Sequence, residues 1–232
     1  MVILFPVTFL IWLLVFPFDR EKAVVHWLLV YQSLLLSRLM PIWKLKVEGR
    51  NKAVYKETYV IISNHQSLLD ILLLNSLCYR FRWISKIENT KLPVLGWYLR
   101  MADYITVNRG NENSKADMLD KSYRSLKGGI SIMIFPEGTR SADNEIGFFK
   151  RGAFQLAIQA GVSILPVIID GTGDILPKHG LLLRSGHKVR IKVLDPVPHD
   201  SFVSDFPEEL ALKLNSIMKA ELKKLRETTI IS

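Results

Sequence analysis

Four consecutive apolar residues, Tyr59-Val60-Ile61-Ile62, limit the fold of this chain more than any other feature. A strand with one face in water alternates polar and apolar residues, so an unbroken run this short reads as a strand buried on both faces. Ile130 to Phe135 reads as another buried strand, and Ser163 to Ile169 as a further one. Helical patterns lie between them. Ser67 to Tyr79 is apolar almost all round, Asn113 to Lys127 is polar and stopped by Gly128-Gly129, and Gly152 to Ala160 follows. Trp43 to Val47, Thr58 to Ile62 and Asp103 to Val107 complete the strands on this side, and Lys188 to Leu194 alternates as a half-exposed strand does. Leu210, Leu214, Ile217, Met218, Leu222 and Leu225 recur at helical spacing, which predicts an amphipathic helix over Ser204 to Arg226. Strands alternating with helices predict an α/β fold with a central, largely parallel sheet flanked by helices.

The first forty residues do not fit that scheme. Met1 to Phe18 carries no charge, Asp19-Arg20-Glu21-Lys22 interrupts, and Ala23 to Met40 is apolar again apart from His26, Gln32, Ser33, Ser37 and Arg38. A helix of about 18 residues reaches roughly 27 Å, close to the thickness of a bilayer core. The first segment is therefore marginal as a span, and Gln32 and Arg38 oppose deep insertion of the second. No basic region precedes the apolar run and no small-residue cleavage site follows it, which argues against a secretory signal. An apolar two-helix membrane anchor lying in one leaflet is the reading preferred over a true span or a buried soluble pair. The expected division is residues 1–42 as the anchor and residues 43–232 as the α/β domain.

The chain has 31 basic and 22 acidic residues, a net charge of +9. Excess positive charge suits anionic lipid, phosphorylated substrates or nucleic acid. Lys44, Lys46, Arg50, Lys52 and Lys56 follow the apolar segments directly, as they would at the cytoplasmic face of an inner or plasma membrane. No zinc spacing, aromatic RNA-binding signature or basic heptad helix appears, so no nucleic-acid partner is expected. Cys78 is the only cysteine and sits in an apolar run, which makes it a packed thiol and leaves no cysteine metal site. The other histidines have no metal-ligand spacing, and no metal is expected.

Two loops carry the chemistry. Asn64-His65-Gln66-Ser67-Leu68-Leu69-Asp70 follows the first buried strand. Five residues on one helix turn side chains about 140° apart, so His65 and Asp70 meet only if His65 lies ahead of the helix. Asp70 then either orients and charge-balances His65 as a general base, or simply caps the helix with Ser67. The second loop is Phe135-Pro136-Glu137-Gly138-Thr139-Arg140-Ser141, which breaks a buried strand at Pro136 and Gly138. Loops beyond the carboxyl ends of strands form the ligand crevice of open α/β sheets, so both could share one edge. There Arg140 could hold a phosphate in a fork, and Glu137 could accept from a substrate hydroxyl or from loop amides.

These blocks resemble those of the glycerophospholipid acyltransferases, most closely the 1-acylglycerol-3-phosphate acyltransferases. Asn64 to Asp70 is similar to the family's His-x-x-x-x-Asp block, and Lys86, Leu92, Pro93, Gly96 and Arg109 resemble its second block. Phe135 to Ser141 matches the Phe-Pro-Glu-Gly-Thr-Arg-Ser block, Leu165-Pro166-Val167 resembles the fourth, and the likeness spans about Leu45 to Leu194. The resemblance implies acyl transfer to the 2-hydroxyl of lysophosphatidic acid at a membrane, with acyl-coenzyme A or acyl-carrier protein as donor and no cofactor. It implies His65 and Asp70 as catalytic residues. Lys86, Arg109, Glu137, Gly138, Thr139 and Arg140 would bind the acceptor, the cations its phosphate and Glu137 its glycerol. Another lyso-lipid acceptor, or a non-catalytic lipid-binding protein on the same fold, is the alternative.

Overall fold

The computed structural model describes residues 4–40, 42–54, 56–180 and 182–230. Two helices, α1 (Phe5–Val15) and α2 (Ala23–Leu39), come first; Met1 to Ile3 of the apolar run lie outside the described residues. Strands β1 (Trp43–Glu48) and β2 (Tyr59–Ser63) lead to the short α3 (Leu69–Leu74), then β3 (Phe81–Lys86), α4 (Leu95–Met101) and β4 (Ile105–Val107). Next come α5 (Glu112–Lys127), β5 (Ser131–Ile134), α6 (Gly152–Ala160), β6 (Ser163–Asp170) and α7 (Thr172–Ile175). Strand β7 (His187–Val193) and the long α8 (Pro207–Ile230) end the described chain.

The strands form one sheet in the order β1-β7-β6-β2-β5-β3-β4. From β6 to β4 every pairing is parallel, while β7 runs antiparallel to β6 and β1 follows β7. The unbroken apolar runs serve both faces. Val60 and Ile62 of β2 join Ile132, Phe154, Leu214 and Met218 on one side, and Ile61 joins Met133, Leu73, Leu74 and Trp83 on the other. Each such side chain contributes about 1.5–3 kcal/mol when fully withdrawn from water.

Sequence periodicity misses β3 and α4 and overextends α3. In β3, buried Phe81 and Trp83 alternate with the half-buried Arg82. The helix expected over Ser67 to Tyr79 yields to a 3-10 turn at Asn75. There the Asn75 amide donates to Ser33 Oγ of α2 at 2.9 Å and accepts from Trp83 Nε1 at 3.4 Å, and Cys78 closes the turn with φ 58°. Gly96 of α4 has a steric reason: a Cβ there would sit 2.1 Å from the Thr90 carbonyl oxygen.

Helix α2 buries two polar side chains, His26 and Ser33, among Val25, Leu29 and Val30, and turns apolar residues outward. His26 is buried, its Nε2 donating to Tyr79 O at 2.8 Å and its Nδ1 accepting from the Tyr104 hydroxyl at 3.1 Å. Gln32 donates to Thr8 Oγ1 of α1 and accepts from the Tyr98 hydroxyl. Val24, Tyr31, Leu35 and Leu39 face outward, as do Leu10, Leu13 and Leu14 of α1. The two helices share a small core with α4, where Val25, Leu29, Tyr98 and Met101 meet. Among the described residues no helix is long and apolar enough to cross a membrane.

Burial drives the His26 pKa down to about 4, helped by Arg80 and opposed by the bond to Tyr79. Its folded value lies below the unfolded one, so the associated stability is present above pH 6.5 and is lost as pH falls from 6.5 towards 4. At about 1.4 kcal/mol per unit the loss approaches about 3 kcal/mol. His26→Gln can keep both hydrogen bonds without titrating. The wild type is expected to lose melting temperature between pH 7 and 5 more steeply than this variant, and parallel curves would refute the assignment.

Candidate active site

Strand β2 delivers the first loop. As it ends, the buried Asn64 side chain bridges to β6, donating to Ile169 O at 2.8 Å and accepting from Ile169 N at 2.9 Å. This splits the two strands and turns the chain outward, so that His65 stands ahead of α3 and not on it. The His65 ring stacks on Phe135 with centroids 3.8 Å apart and planes 7° from parallel. Its Nδ1 lies 2.8 Å from Asp70 Oδ2.

Asp70 is fully buried and collects four donors. Oδ2 accepts from His65 Nδ1, Gln66 N (2.7 Å) and Ser67 N (2.9 Å), while Oδ1 accepts from the Thr172 hydroxyl. Capping and orienting are thus not alternatives, because the same oxygen gathers the loop amides and the imidazole. A carboxylate only accepts, so the proton sits on Nδ1 and the lone pair on Nε2. Among the described residues Nε2 has no partner, and the ring edge opens into a cavity of about 100 Å³.

The second loop is locked to the first. Glu137 is buried, its Oε1 accepting from His65 N and its Oε2 from Gly147 N, both at 2.9 Å, and Ser141 N donates to His65 O at 2.7 Å. Burial raises the Glu137 pKa against the pull of those amides. Of the two roles open to Glu137 in the sequence, the geometry displays the bond to loop amides. Gly138 takes φ 70°, and a Cβ there would come 2.8 Å from Lys150 Nζ.

The cationic candidates divide between two surfaces. Lys86 and Arg109 line the His65 cavity with Ser85 and Asn89, while Leu29, Leu95 and Leu99 form its apolar side. Thr139 and Arg140 border a separate depression beside Phe148 and Lys150. A larger groove of about 750 Å³ shares Leu99 and Tyr104 with the cavity but holds none of the His65 block. Three of its cations pair with acids, Arg82 with Asp103, Lys121 with Asp117 and Arg124 with Asp120, and Arg100 donates to Thr90 O; in the smaller cavity Lys86 pairs with Glu88 at 3.0 Å. The smaller cavity is the one that His65 lines. Among the described residues, no group of three or more His, Cys, Asp or Glu side chains could hold a metal ion.

Three supporting residues escape sequence reasoning. Thr172 reaches Asp70 across 102 residues. Gln66 bonds Gly171 N, Asn144 O and Asp170, and Arg226 of α8 closes the network through Asp170 and Glu145. The parallel pairing of β2 with β6 brings Asp170, Gly171 and Thr172 beside the His65 turn, and the length of α8 brings Arg226 there; neither is a local sequence signal.

Residues 44–170 match a family model described as Acyltransferase. The chain is 35% identical over 181 residues to a chloroplastic 1-acyl-sn-glycerol-3-phosphate acyltransferase of Arabidopsis thaliana, covering 78% of this chain and 51% of that protein. It is 30% identical over 210 residues to the 1-acyl-sn-glycerol-3-phosphate acyltransferase of Saccharomyces cerevisiae, covering 88% and 68%. The chain spans about half the length of the plant and algal relatives that it matches. Among solved structures, the crystal structure of the 1-acyl-sn-glycerophosphate acyltransferase of Thermotoga maritima superposes with a TM-score of 0.76 at 31% identity, covering 90% of this chain and 83% of that one.

Proposed function

The chain belongs to the acyltransferase family, and on that premise we propose that it moves a fatty acyl group from an acyl thioester to the 2-hydroxyl of lysophosphatidic acid, giving phosphatidic acid. The observation that carries this reading is the bare Nε2 of His65, whose opposite nitrogen is held by Asp70, at the edge of a cavity lined by Lys86 and Arg109. The two cations suit the acceptor phosphate. Nε2 takes the proton of the 2-hydroxyl as its oxygen attacks the thioester carbonyl, and Asp70 balances the imidazolium. The carbon–sulfur bond of the tetrahedral intermediate then breaks, and the leaving thiolate takes the proton back from Nε2. This route needs no acyl-enzyme, because the 2-hydroxyl oxygen attacks the thioester directly; Ser67 in the His65 turn instead donates to Leu176 O and accepts from Leu69 N.

At about 100 Å³ the cavity is well below the roughly 300–1,000 Å³ of a small-ligand pocket, so the acyl chains lie outside it. We place them along α1, α2 and α4 in lipid, with the two helices lying in one leaflet on the cytoplasmic side of the membrane. The outward-facing leucines of both helices support this, since an exposed apolar helix face is suited to a hydrocarbon neighbour.

The direct test is transfer from a labelled acyl thioester to lysophosphatidic acid in mixed micelles, with acyl-coenzyme A and acyl-carrier protein compared as donors. Labelled phosphatidic acid is expected with one or both. Folded, micelle-bound protein that yields none with either donor would exclude this acceptor, and failure across a panel of lyso-lipids would leave a non-catalytic lipid-binding protein.

Glu137 offers a finer test. Glu137→Gln turns one acceptor into a donor facing a backbone N–H, at a cost of about 1–3 kcal/mol in stability. With the His65 loop loosened, kcat is expected to fall about 10- to 100-fold with little change in KM. A raised KM for the acceptor at unchanged kcat would instead mean that Glu137 touches the glycerol.

A further inference from the structure

Strand β7 runs antiparallel to β6, and β1 parallel to β7, so both begin at the sheet edge where β2, β5 and β6 end. The loop from α7 to β7 therefore lies on the His65 edge. Its base is tied down: Leu176 O accepts from Ser67 Oγ at 2.8 Å, Arg184 N donates to Ile175 O at 2.9 Å, and Gly186 N donates to Ile42 O just beyond α2 at 3.0 Å. Its tip is bare, with Leu182 82% exposed and Leu183 42% exposed. Leu68 in the His65 turn and Leu39 at the end of α2 are exposed on the same edge.

Charge accompanies the leucines. Lys178, Arg184 and Lys188 flank the tip, and no acidic residue occurs between Asp174 and Asp195. Exposed leucines in a stretch that is basic and free of acids match the headgroups and acyl boundary of an anionic bilayer. A second copy of the chain would set like charge against like. The face also continues the apolar outer surface of α2, to which Gly186 ties it.

We propose that the loop between α7 and β7 is a second lipid contact, Leu182 and Leu183 entering an anionic leaflet while Lys178 and Arg184 hold its headgroups. The proposal rests on the membrane reading of α1 and α2. Two separated contacts fix the tilt of the domain, which one helical pair does not, and set the mouth of the His65 cavity against the leaflet.

The test uses the full chain with Cys78→Ser and one introduced cysteine, Leu14→Cys, Leu182→Cys or Val203→Cys, bearing an environment-sensitive fluorophore. Val203 is exposed and lies beyond the end of β7, at the opposite sheet edge. Vesicles of phosphatidylcholine with phosphatidylglycerol are expected to blue-shift the labels at 14 and 182 but not at 203, and lipid-chain spin labels to quench the same two. Removing phosphatidylglycerol should weaken the signal at 182. Lys178→Gln with Arg184→Gln should lower vesicle affinity about tenfold. A response at 14 alone overturns the loop contact and leaves the anchor standing. Silence at both overturns both, and an equal response at 203 shows unspecific adsorption and overturns the loop contact as well.

Discussion

Replacing His65 with alanine is expected to lower acyl transfer by about 10²- to 10⁴-fold while leaving fold and membrane binding in place. The fold survives because the ring lies at the cavity mouth, stacked on Phe135, and Asp70 keeps its bonds to Gln66 N, Ser67 N and Thr172. Membrane binding is expected to survive because α1 and the outer face of α2, the proposed lipid contacts, are elsewhere. The variant leaves a flat slot between Phe135 and Asp70 that matches the lost ring. Added imidazole is therefore expected to restore part of the rate, and more at a pH where it is neutral. The readout is initial velocity at saturating lysophosphatidic acid, beside vesicle flotation of the same samples. A variant with more than about a tenth of wild-type activity would remove His65 from the role of base.

How much of this was legible in the sequence depended on how local each interaction is. The runs in β2, β5 and β6 announced a sheet covered on both faces because every residue in them needed an apolar neighbour. The pairing of His65 with Asp70 was legible as a condition, that His65 precede the helix. The Asn64 bridge to β6 meets that condition, and it is a long-range contact with no local mark. Helix α3 came out shorter than its apolar pattern because Asp70 gathers the amides that would have begun the helix earlier, and Asn75 binds Ser33 and Trp83. In the sequence Gln32 opposes burial in lipid; in the fold its amide is taken up by Thr8 and Tyr98. Lys86, Arg109 and Arg140 looked equivalent as cations, and only the fold separates Arg140 from the cavity of the other two.

Asp70→Asn should divide the structural part of the dyad from the chemical part. The asparagine oxygen can stand where Oδ2 stands and still accept from His65 Nδ1, Gln66 N and Ser67 N. Its amide then faces Thr172, whose hydroxyl can turn to accept and donate onward to Gln66 Oε1, 3.4 Å away. The loop, the tautomer and the fold are thereby kept, and the loss of stability should stay near about 1 kcal/mol. What disappears is the negative charge beside the imidazolium that the proposed mechanism forms as the 2-hydroxyl gives up its proton. Activity is expected to fall by about 10²- to 10⁴-fold, almost wholly in kcat. Asp70→Ala strands three buried donors at about 1–3 kcal/mol each and should be far less stable. Thermal denaturation and steady-state kinetics on both variants make the comparison. A stable Asp70→Asn enzyme with near wild-type kcat would reduce Asp70 to a cap, whereas a stable, inactive one would leave its charge as the difference between a well-built turn and a catalytic pair.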